Sequence, residues 1–205
     1  MPDTIFLPPV ASPTTEPLAL YIHWPFCVSK CPYCDFNSHV RESVDQAAWR
    51  DALLADLRHE ASLLPGRRVS SIFFGGGTPS LMPPATVAAV IGEAAALWGL
   101  TDDCEITLEA NPGTVEAERF AGYRAAGVNR LSLGIQSFED RYLRALGRIH
   151  AGAEAHKAAE LALTHFESVN FDLMYALPGQ SMDHLAADLR TAISAIVPKS
   201  HSLHG

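Results

Sequence analysis

Five apolar runs of strand length, each followed by a stretch of helical periodicity, restrict this chain to a small set of folds. The runs are Leu18–His23, Ser70–Phe74, Glu105–Ala110, Arg130–Ile135 and Val169–Ala176. Repeated strand–helix alternation implies right-handed crossovers and a parallel sheet. A doubly wound sheet and a β/α barrel both satisfy the pattern. Between the runs, Ser43 with Gln46 three residues on predicts a helix start, and Leu53, Leu57, Ala61 and Leu64 share one face of that helix. Pro83-Pro84 opens a second helix that stops at Gly99. A third is expected from Thr114 to Gly127, and a short fourth from Ser137, with Asp140 beyond it. Another spans 152–166. Ser181 opens the last, with Leu185, Leu189, Ile193 and Ile196 in register, and Pro198 ends it.

The chain has 205 residues, enough for one domain with a sizeable core. Residues 1–17 carry five prolines and little apolar periodicity, so they are read as a flexible arm. The folded core is expected over 18–198, with 199–205 as a tail outside it. Net charge is −8 and no basic stripe is present, which argues against a nucleic-acid partner. The most apolar long stretch, Ala85–Leu100, is interrupted by Glu93 and two glycines, so no membrane span is expected. No basic start followed by an apolar core marks a secretory leader, and a cytoplasmic location is expected.

The unusual residues follow the strand runs, and this favours a barrel, whose chemistry gathers at the C-terminal ends of its strands. After the first run come Cys27, Cys31 and Cys34, and after the second Gly75-Gly76-Gly77-Thr78-Pro79. The third ends in Glu109-Ala110-Asn111-Pro112, the fourth in Gln136-Ser137, and the fifth carries Asp172. If the sheet curls, all five converge on one mouth.

Three of the four cysteines fall within eight positions, too few for a closed tetrahedral site and too many for one disulfide. Thiolates in this spacing select zinc, copper(I) or an iron–sulfur cluster. Zinc closure requires a fourth ligand, for which His23 and His39 are nearest; a cubane cluster held by three cysteines leaves one iron open. His23 reads equally as a hydrogen-bond partner of the loop or as a core histidine. Cys104, alone on the third run, reads as a small buried apolar residue. The glycine run reads either as a tight turn or as backbone on which a ligand lies directly, with N–H and C=O groups free for a zwitterion. Asp172, flanked by Phe171, Leu173 and Met174, reads as a buried carboxylate needing Arg148, Arg130 or a ligand hydroxyl. Glu109 reads either as a ligand contact or as an ordinary strand end.

The strings "YIHWPFC", "CPYCDFN", "FFGGGTPSLM", "LEANPGT", "GVNRLSLGIQSF" and "FDLMYALPGQ" occur in order from about Leu18 to Pro198. Together they resemble the radical S-adenosylmethionine (SAM) proteins around oxygen-independent coproporphyrinogen III oxidase. The resemblance implies a partial TIM-type (β/α) barrel, incomplete here at about five β/α units. It implies a [4Fe–4S] cluster on Cys27, Cys31 and Cys34, with SAM chelated to the open iron through its amino and carboxylate groups. An electron from the reduced cluster would cleave the S–C5′ bond, giving methionine and a 5′-deoxyadenosyl radical. By position, Tyr21 and Tyr33 would pack near cluster and adenine, and Gly76, Gly77, Thr78 and Glu109 would contact SAM. Gln136, Arg148 and Asp172 match positions that line a second SAM site in the oxidase.

Two departures refine the resemblance. Phe36 stands where the oxidase carries a further cysteine, a pattern similar to HemW-like haem chaperones. That resemblance implies haem or porphyrin as partner, a reductase or flavodoxin-type electron donor, and haem-recipient apoproteins. Coproporphyrinogen decarboxylation is the enzymatic alternative; a structural zinc protein or a non-functional fragment is the third reading. The second departure is the ending: "KSHSLHG" does not read as a sixth strand, and the His-Asn-x-x-Tyr-Trp haem motif that the resemblance implies for a full-length member is not among these residues. The sequence is therefore expected to be a truncated or frameshifted product, or an incomplete gene model.

Overall fold

A computed structural model describes residues 16–113 and 117–196. The expected arm up to residue 15, the helix start at Thr114, the stop at Pro198 and the tail lie outside the described residues. Five strands form one all-parallel sheet in chain order: β1 (Leu18–Trp24), β4 (Val69–Gly76), β5 (Leu100–Ala110), β6 (Arg130–Gln136) and β7 (Ser168–Leu173). Two short strands, β2 (Phe26–Cys27) and β3 (His39–Val40), pair separately and frame the cysteine loop. Helices α1 (Gln46–Leu63), α2 (Pro84–Trp98), α3 (Phe120–Ala125), α4 (Asp140–Ala145), α5 (Gly152–His165) and α6 (Met182–Ile196) supply the crossovers. The sheet order equals the strand order, as in a sector of a β/α barrel, not a doubly wound sheet, whose order reverses at a switch point.

Side chains alternate across each strand, and this separates core from site. Ile72, Phe74, Leu108, Leu131, Leu133 and Ile135 are buried in the core, where α1, α2, α3 and α5 pack as successive neighbours. The opposite face carries polar residues in register: His23 opposite Gly75, and Glu109 opposite Ser132 opposite Asn170. One parity of the strands thus builds the core and the other faces the mouth.

Helix boundaries follow local chemistry. Asp45, not Ser43, caps α1, its carboxylate accepting from Ala48 N at 3.0 Å. A carboxylate at this position also meets the positive end of the helix dipole. Gln46 consequently falls at the first helical position, and its buried amide oxygen has no partner among the described residues. Helix α2 starts at Pro84 and stops at Gly99 as expected, with Trp98 Nε1 donating to Leu64 O at 3.0 Å and tying the ends of α1 and α2 together. Gly127 (φ 109°) closes α3, and Val128 N–H reaches back to Tyr123 O at 3.1 Å, a Schellman arrangement.

The last helix is rotated relative to expectation. Asp188 and Ala192 turn inward, while Leu189, Ile193 and Ile196 are 44%, 58% and 44% exposed. The cause is Asp188, which is 2% exposed and accepts from Ser137 Oγ at 2.7 Å and Phe138 N at 2.9 Å. These bonds lock the rotation of α6 and tie it to the chain just beyond β6. Asp188→Ala strands both donors and is expected to destabilise the fold by about 3 kcal/mol, the scale of hydrogen bonds to a buried charge; urea unfolding measures it, and an unchanged midpoint would refute the locking role.

Candidate functional site

The cysteine loop is held by its own backbone. Cys27 ends β2, and Arg41 N donates to Cys27 O at 3.3 Å while His39 N donates to Pro25 O at 2.7 Å. Cys34 N closes a turn onto Cys31 O at 3.0 Å. Lys30 Nζ reaches the carbonyls of Phe36 and Ser38 at 3.3 and 3.4 Å, and the His23 ring bonds Asn37 O at 3.0 Å. His23 is thus a partner of the loop. All four cysteines are free; Cys27 is buried, Cys31 and Cys34 are half-buried. Cys104 is buried on β5, as expected, and burial pushes its thiol up.

The three loop cysteines share a cavity of about 170 Å³ with Tyr33, Gly76, Gly77, Thr78, Glu109, Gln136, Arg148 and Asp172. All five strand ends therefore do converge. Tyr21 stands apart: it is 59% exposed, stacks on Phe73 with centroids 6.0 Å apart, and lines a larger neighbouring groove between β1 and α1. That groove, about 780 Å³ and walled by Trp49, Leu53, Leu57 and Trp98, contains no cysteine; His23 and His39, the nearest candidates for a fourth zinc ligand, line it. The three loop cysteines and the other residues that the resemblance places at cluster and SAM line the smaller cavity. Tyr21 remains electrostatically coupled to it: desolvation, and then the Glu109 carboxylate, pushes its phenol up.

The glycine run serves the protein itself. A Cβ on Gly75 would lie 2.8 Å from the Tyr21 ring, one on Gly76 2.6 Å from the His23 ring, and one on Gly77 2.7 Å from Phe26 O. Gly76 also has φ 114°, which L side chains rarely adopt. The N–H groups are already used: Gly76 donates to Glu109, Gly77 to Trp24 O at 2.7 Å, and Thr78 to Phe26 O at 2.8 Å. The expectation of N–H groups left free for a ligand is therefore corrected; the run lets the cysteine loop lie directly on β4.

A relay of side chains links loop to sheet. Thr78 Oγ1 donates to Cys27 Sγ at 3.5 Å, and Asn111 Nδ2 donates to Thr78 Oγ1 at 3.4 Å. Arg148 donates to Asn111 Oδ1 at 2.6 Å and Gly134 O at 2.7 Å through Nη2, and to Tyr33 Oη at 3.3 Å and Cys31 Sγ at 3.7 Å through Nη1. Gly134 makes room for this, since a Cβ there would meet Gln136 Nε2 at 3.1 Å and Arg148 Nη2 at 3.3 Å. Gln136 itself has φ 66°, a left-handed conformation of the kind concentrated at functional sites. Burial pushes the Tyr33 phenol up, with Arg148 opposing. Burial also pushes Glu109 up; the Gly76 N–H opposes, and Asp172 adds to the rise.

Asp172 departs from its expected environment. It is exposed on β7, accepts from Ser132 Oγ at 3.1 Å and Asn170 Nδ2 at 2.7 Å, and Arg148 is committed elsewhere. β7 borders the sheet among the described residues, so no further strand covers it. Arg130 likewise bonds Glu105 and Thr107 instead.

Sequence reading placed Asn111 at a strand end without a role and did not single out Ser132, Gly134, Ser38 or His150. The signal for Asn111 and Ser132 was strand parity: Asn111 lies two residues beyond Glu109, and Ser132 lies opposite Glu109. His150 is 5% exposed, hydrogen-bonds Ile135 O at 3.3 Å, and lines a small space of about 30 Å³ behind the loop with Cys31, Thr78 and Arg148. Desolvation and then the Arg148 charge lower its imidazole to about 4.

The donor set fits the iron–sulfur cluster that the resemblance implies. Three free cysteines line one cavity, and among the described residues no three His, Cys, Asp or Glu side chains stand close enough to share a single metal ion. The loop thus offers a wall of soft donors around a space. Ser38 Oγ, buried on that wall, has no partner among the described residues.

The chain belongs to the radical SAM superfamily, whose family model matches residues 21–192. With that membership come the family's general cofactors, an iron–sulfur cluster and SAM. Curated relatives include the heme chaperone HemW of Escherichia coli K12, 50% identical over 184 residues, covering 89% of this chain and 49% of that protein. HemW of Haemophilus influenzae is 49% identical over 192 residues, covering 91% and 50%. The mitochondrial radical S-adenosyl methionine domain-containing protein 1 of Bos taurus is 45% identical over 176 residues, covering 85% and 40%. The chain therefore spans about half the length of the curated relatives it matches. Among solved structures, coproporphyrinogen III oxidase (HemN) from Escherichia coli, a radical SAM enzyme, superposes with TM-score 0.80 at 32% identity, covering 90% of this chain and 43% of that one. Methylornithine synthase (PylB), TM-score 0.60 at 14% identity, shares the fold. The five parallel strands are thus a partial TIM-type barrel of the radical SAM kind.

His150 generates a pH prediction. Its folded value of about 4 lies below the ordinary 6.5, so between the two the unfolded chain binds more protons. Its contribution to stability is complete above about 6.5 and is lost as pH falls toward 4. The urea midpoint is expected to drop through this window, and less steeply in His150→Gln; parallel curves would refute the assignment.

Proposed function

We propose that this chain is the radical SAM core of a HemW-like haem chaperone, a protein that binds haem and passes it to recipient apoproteins. The supporting observation is the 50% identity to a HemW across 89% of these residues, against 32% to the oxidase structure. Residues 18–198 are assigned to that core. Haem binding and transfer are proposed of the whole protein; the curated relatives are about twice the length of this chain. A reductase or flavodoxin-type donor is the proposed electron source, and a cytoplasmic location is proposed with it. Among the described residues no helix is long and apolar enough to cross a membrane.

Cys27, Cys31 and Cys34 are assigned as the ligands of a [4Fe–4S] cluster. Bound there, the cluster supplies an electron and one open iron for the amino and carboxylate groups of SAM. The protein's own residues position and shield. Thr78 and Arg148 offer hydrogen bonds to two of the thiolates. Glu109, with its carboxyl pushed up by burial, is assigned to the SAM amino group, and Gly76, Gly77 and Thr78 to the wall beside it. Gln136, Arg148 and Asp172 are assigned to the far wall, where Asp172 is open to a ribose-type hydroxyl. Tyr33 is assigned to flank cluster and adenine from within the cavity, and Tyr21, whose ring lies against Gly75 outside that lining, to the edge of the same site.

Phe36, on the cavity wall and 60% exposed, stands where a further cysteine would be needed for the oxidase reading. The test is anaerobic incubation with coproporphyrinogen III, SAM and dithionite. No protoporphyrin fluorescence is expected, and its appearance would overturn the chaperone reading in favour of the oxidase. For the ligands, Cys31→Ala is expected to abolish cluster assembly, read as iron and sulfide content after anaerobic reconstitution, with an unchanged far-ultraviolet circular dichroism spectrum. Retention of a full cluster would refute the assignment.

A further inference from the structure

Ser38 is the residue of the cysteine loop whose side chain the protein leaves unsatisfied. It is 7% exposed, precedes β3, and lines the cavity with Cys27, Cys31 and Cys34. Its Oγ has no hydrogen-bond partner among the described residues. A buried hydroxyl without a partner costs about 1–3 kcal/mol. Turning the residue toward water would require unpicking its surroundings. Lys30 Nζ holds the Ser38 carbonyl at 3.4 Å, His39 N is bonded to Pro25 O at 2.7 Å, and the His23 ring is bonded to Asn37 O at 3.0 Å. The backbone on both sides of Ser38 is therefore fixed while its hydroxyl stays uncommitted. Two of the three loop sulfurs already meet donors, Cys27 from Thr78 at 3.5 Å and Cys31 from Arg148 at 3.7 Å. Its hydroxyl is thus a third donor on the wall that carries the three sulfurs, free to rotate about one bond.

We propose that Ser38 donates its hydroxyl hydrogen bond to a sulfur of the iron–sulfur cluster, sulfide or cysteine thiolate, and raises the cluster's reduction potential. The inference rests on the assignment of Cys27, Cys31 and Cys34 as cluster ligands. Reduction of [4Fe–4S]2+ to [4Fe–4S]1+ adds one electron, whose charge is shared onto the sulfurs. A donor beside them stabilises the reduced form more than the oxidised one. Ser38 acts through the cluster and is a positioning residue. Thr78 and Arg148 are excluded as the test because both belong to the side-chain relay, whereas Ser38→Ala removes one hydroxyl and breaks no bond that the structure makes.

The test compares the protein with Ser38→Ala and Ser38→Thr after anaerobic reconstitution. Iron and sulfide are assayed first, and the potential is then read by a dithionite titration followed by electron paramagnetic resonance. Equal iron and sulfide are expected in all three. In Ser38→Ala the oxidised-to-reduced ratio at a fixed applied potential is expected to rise about tenfold, a fall of about 59 mV for a one-electron couple. Ser38→Thr, which keeps the hydroxyl, is expected to return most of the shift. Loss of the cluster in Ser38→Ala that Ser38→Thr reverses would equally support the hydroxyl's role. An unchanged potential in Ser38→Ala overturns the proposal and leaves a water as the hydroxyl's partner. Loss of the cluster in both variants overturns it too, by making the residue a packing element of the loop. Failure of the unsubstituted protein to take up iron and sulfide is a separate result: it removes the ligand assignment itself, and this inference with it.

Discussion

The Arg148 guanidinium holds the two halves of the site in one frame. One edge grips Asn111 Oδ1 and Gly134 O at the strand ends, and the other reaches Tyr33 Oη and Cys31 Sγ on the loop. The planar fork is what allows this, because its donors point in fixed directions and a lysine offers only a point charge. Without that bridge the cysteine loop would rest on the sheet through Thr78, the His23 ring and backbone contacts. The same charge also has a cost nearby, since it helps keep His150 neutral in a space where two cations would repel. The site is thus organised around one permanent positive charge, with the surrounding groups adjusted to it.

Strand parity does the remaining positioning. Parallel register brings Glu109, Ser132 and Asn170 into one row across β5, β6 and β7, and the intervening residues fill the core. Because the two sets alternate along the same strands, core packing and site geometry cannot be adjusted independently. Displacing β6 by one residue would exchange Leu133 with Gly134 and bury what now lines the cavity.

The alternation of periods made the sheet legible, and all five expected strands are present with small changes at their ends. The convergence of the cysteines, Glu109, Gln136 and Asp172 was legible too, because barrel chemistry follows strand ends; Arg148, between two helices, came only through the family resemblance and as a candidate partner of Asp172. What the sequence hid was tertiary. Asp172 looked buried from its apolar neighbours, but a strand at the border of a sheet leaves alternate side chains open whatever flanks them in sequence. Leu189 and Ile193 had the right spacing for a packed face, yet a buried carboxylate at Asp188 fixed the rotation of α6. Asn111 was placed at a strand end but given no role, because its partner Arg148 lies 37 residues away. The left-handed backbone of Gln136 has no signature in a single sequence.

The space above Gly75, Gly76 and Gly77 is filled by Tyr21, His23 and Phe26 O, so two segments about fifty residues apart share one steric allotment. Each segment is then the other's mould. A bulkier residue at Gly75 could be accepted only alongside a trimmed Tyr21 ring, whereas at Gly77 it would meet the Phe26 backbone, which no side-chain change removes. Drift in either segment is consequently tied to drift in the other, and the pair should be inherited as a unit even where the surrounding helices diverge.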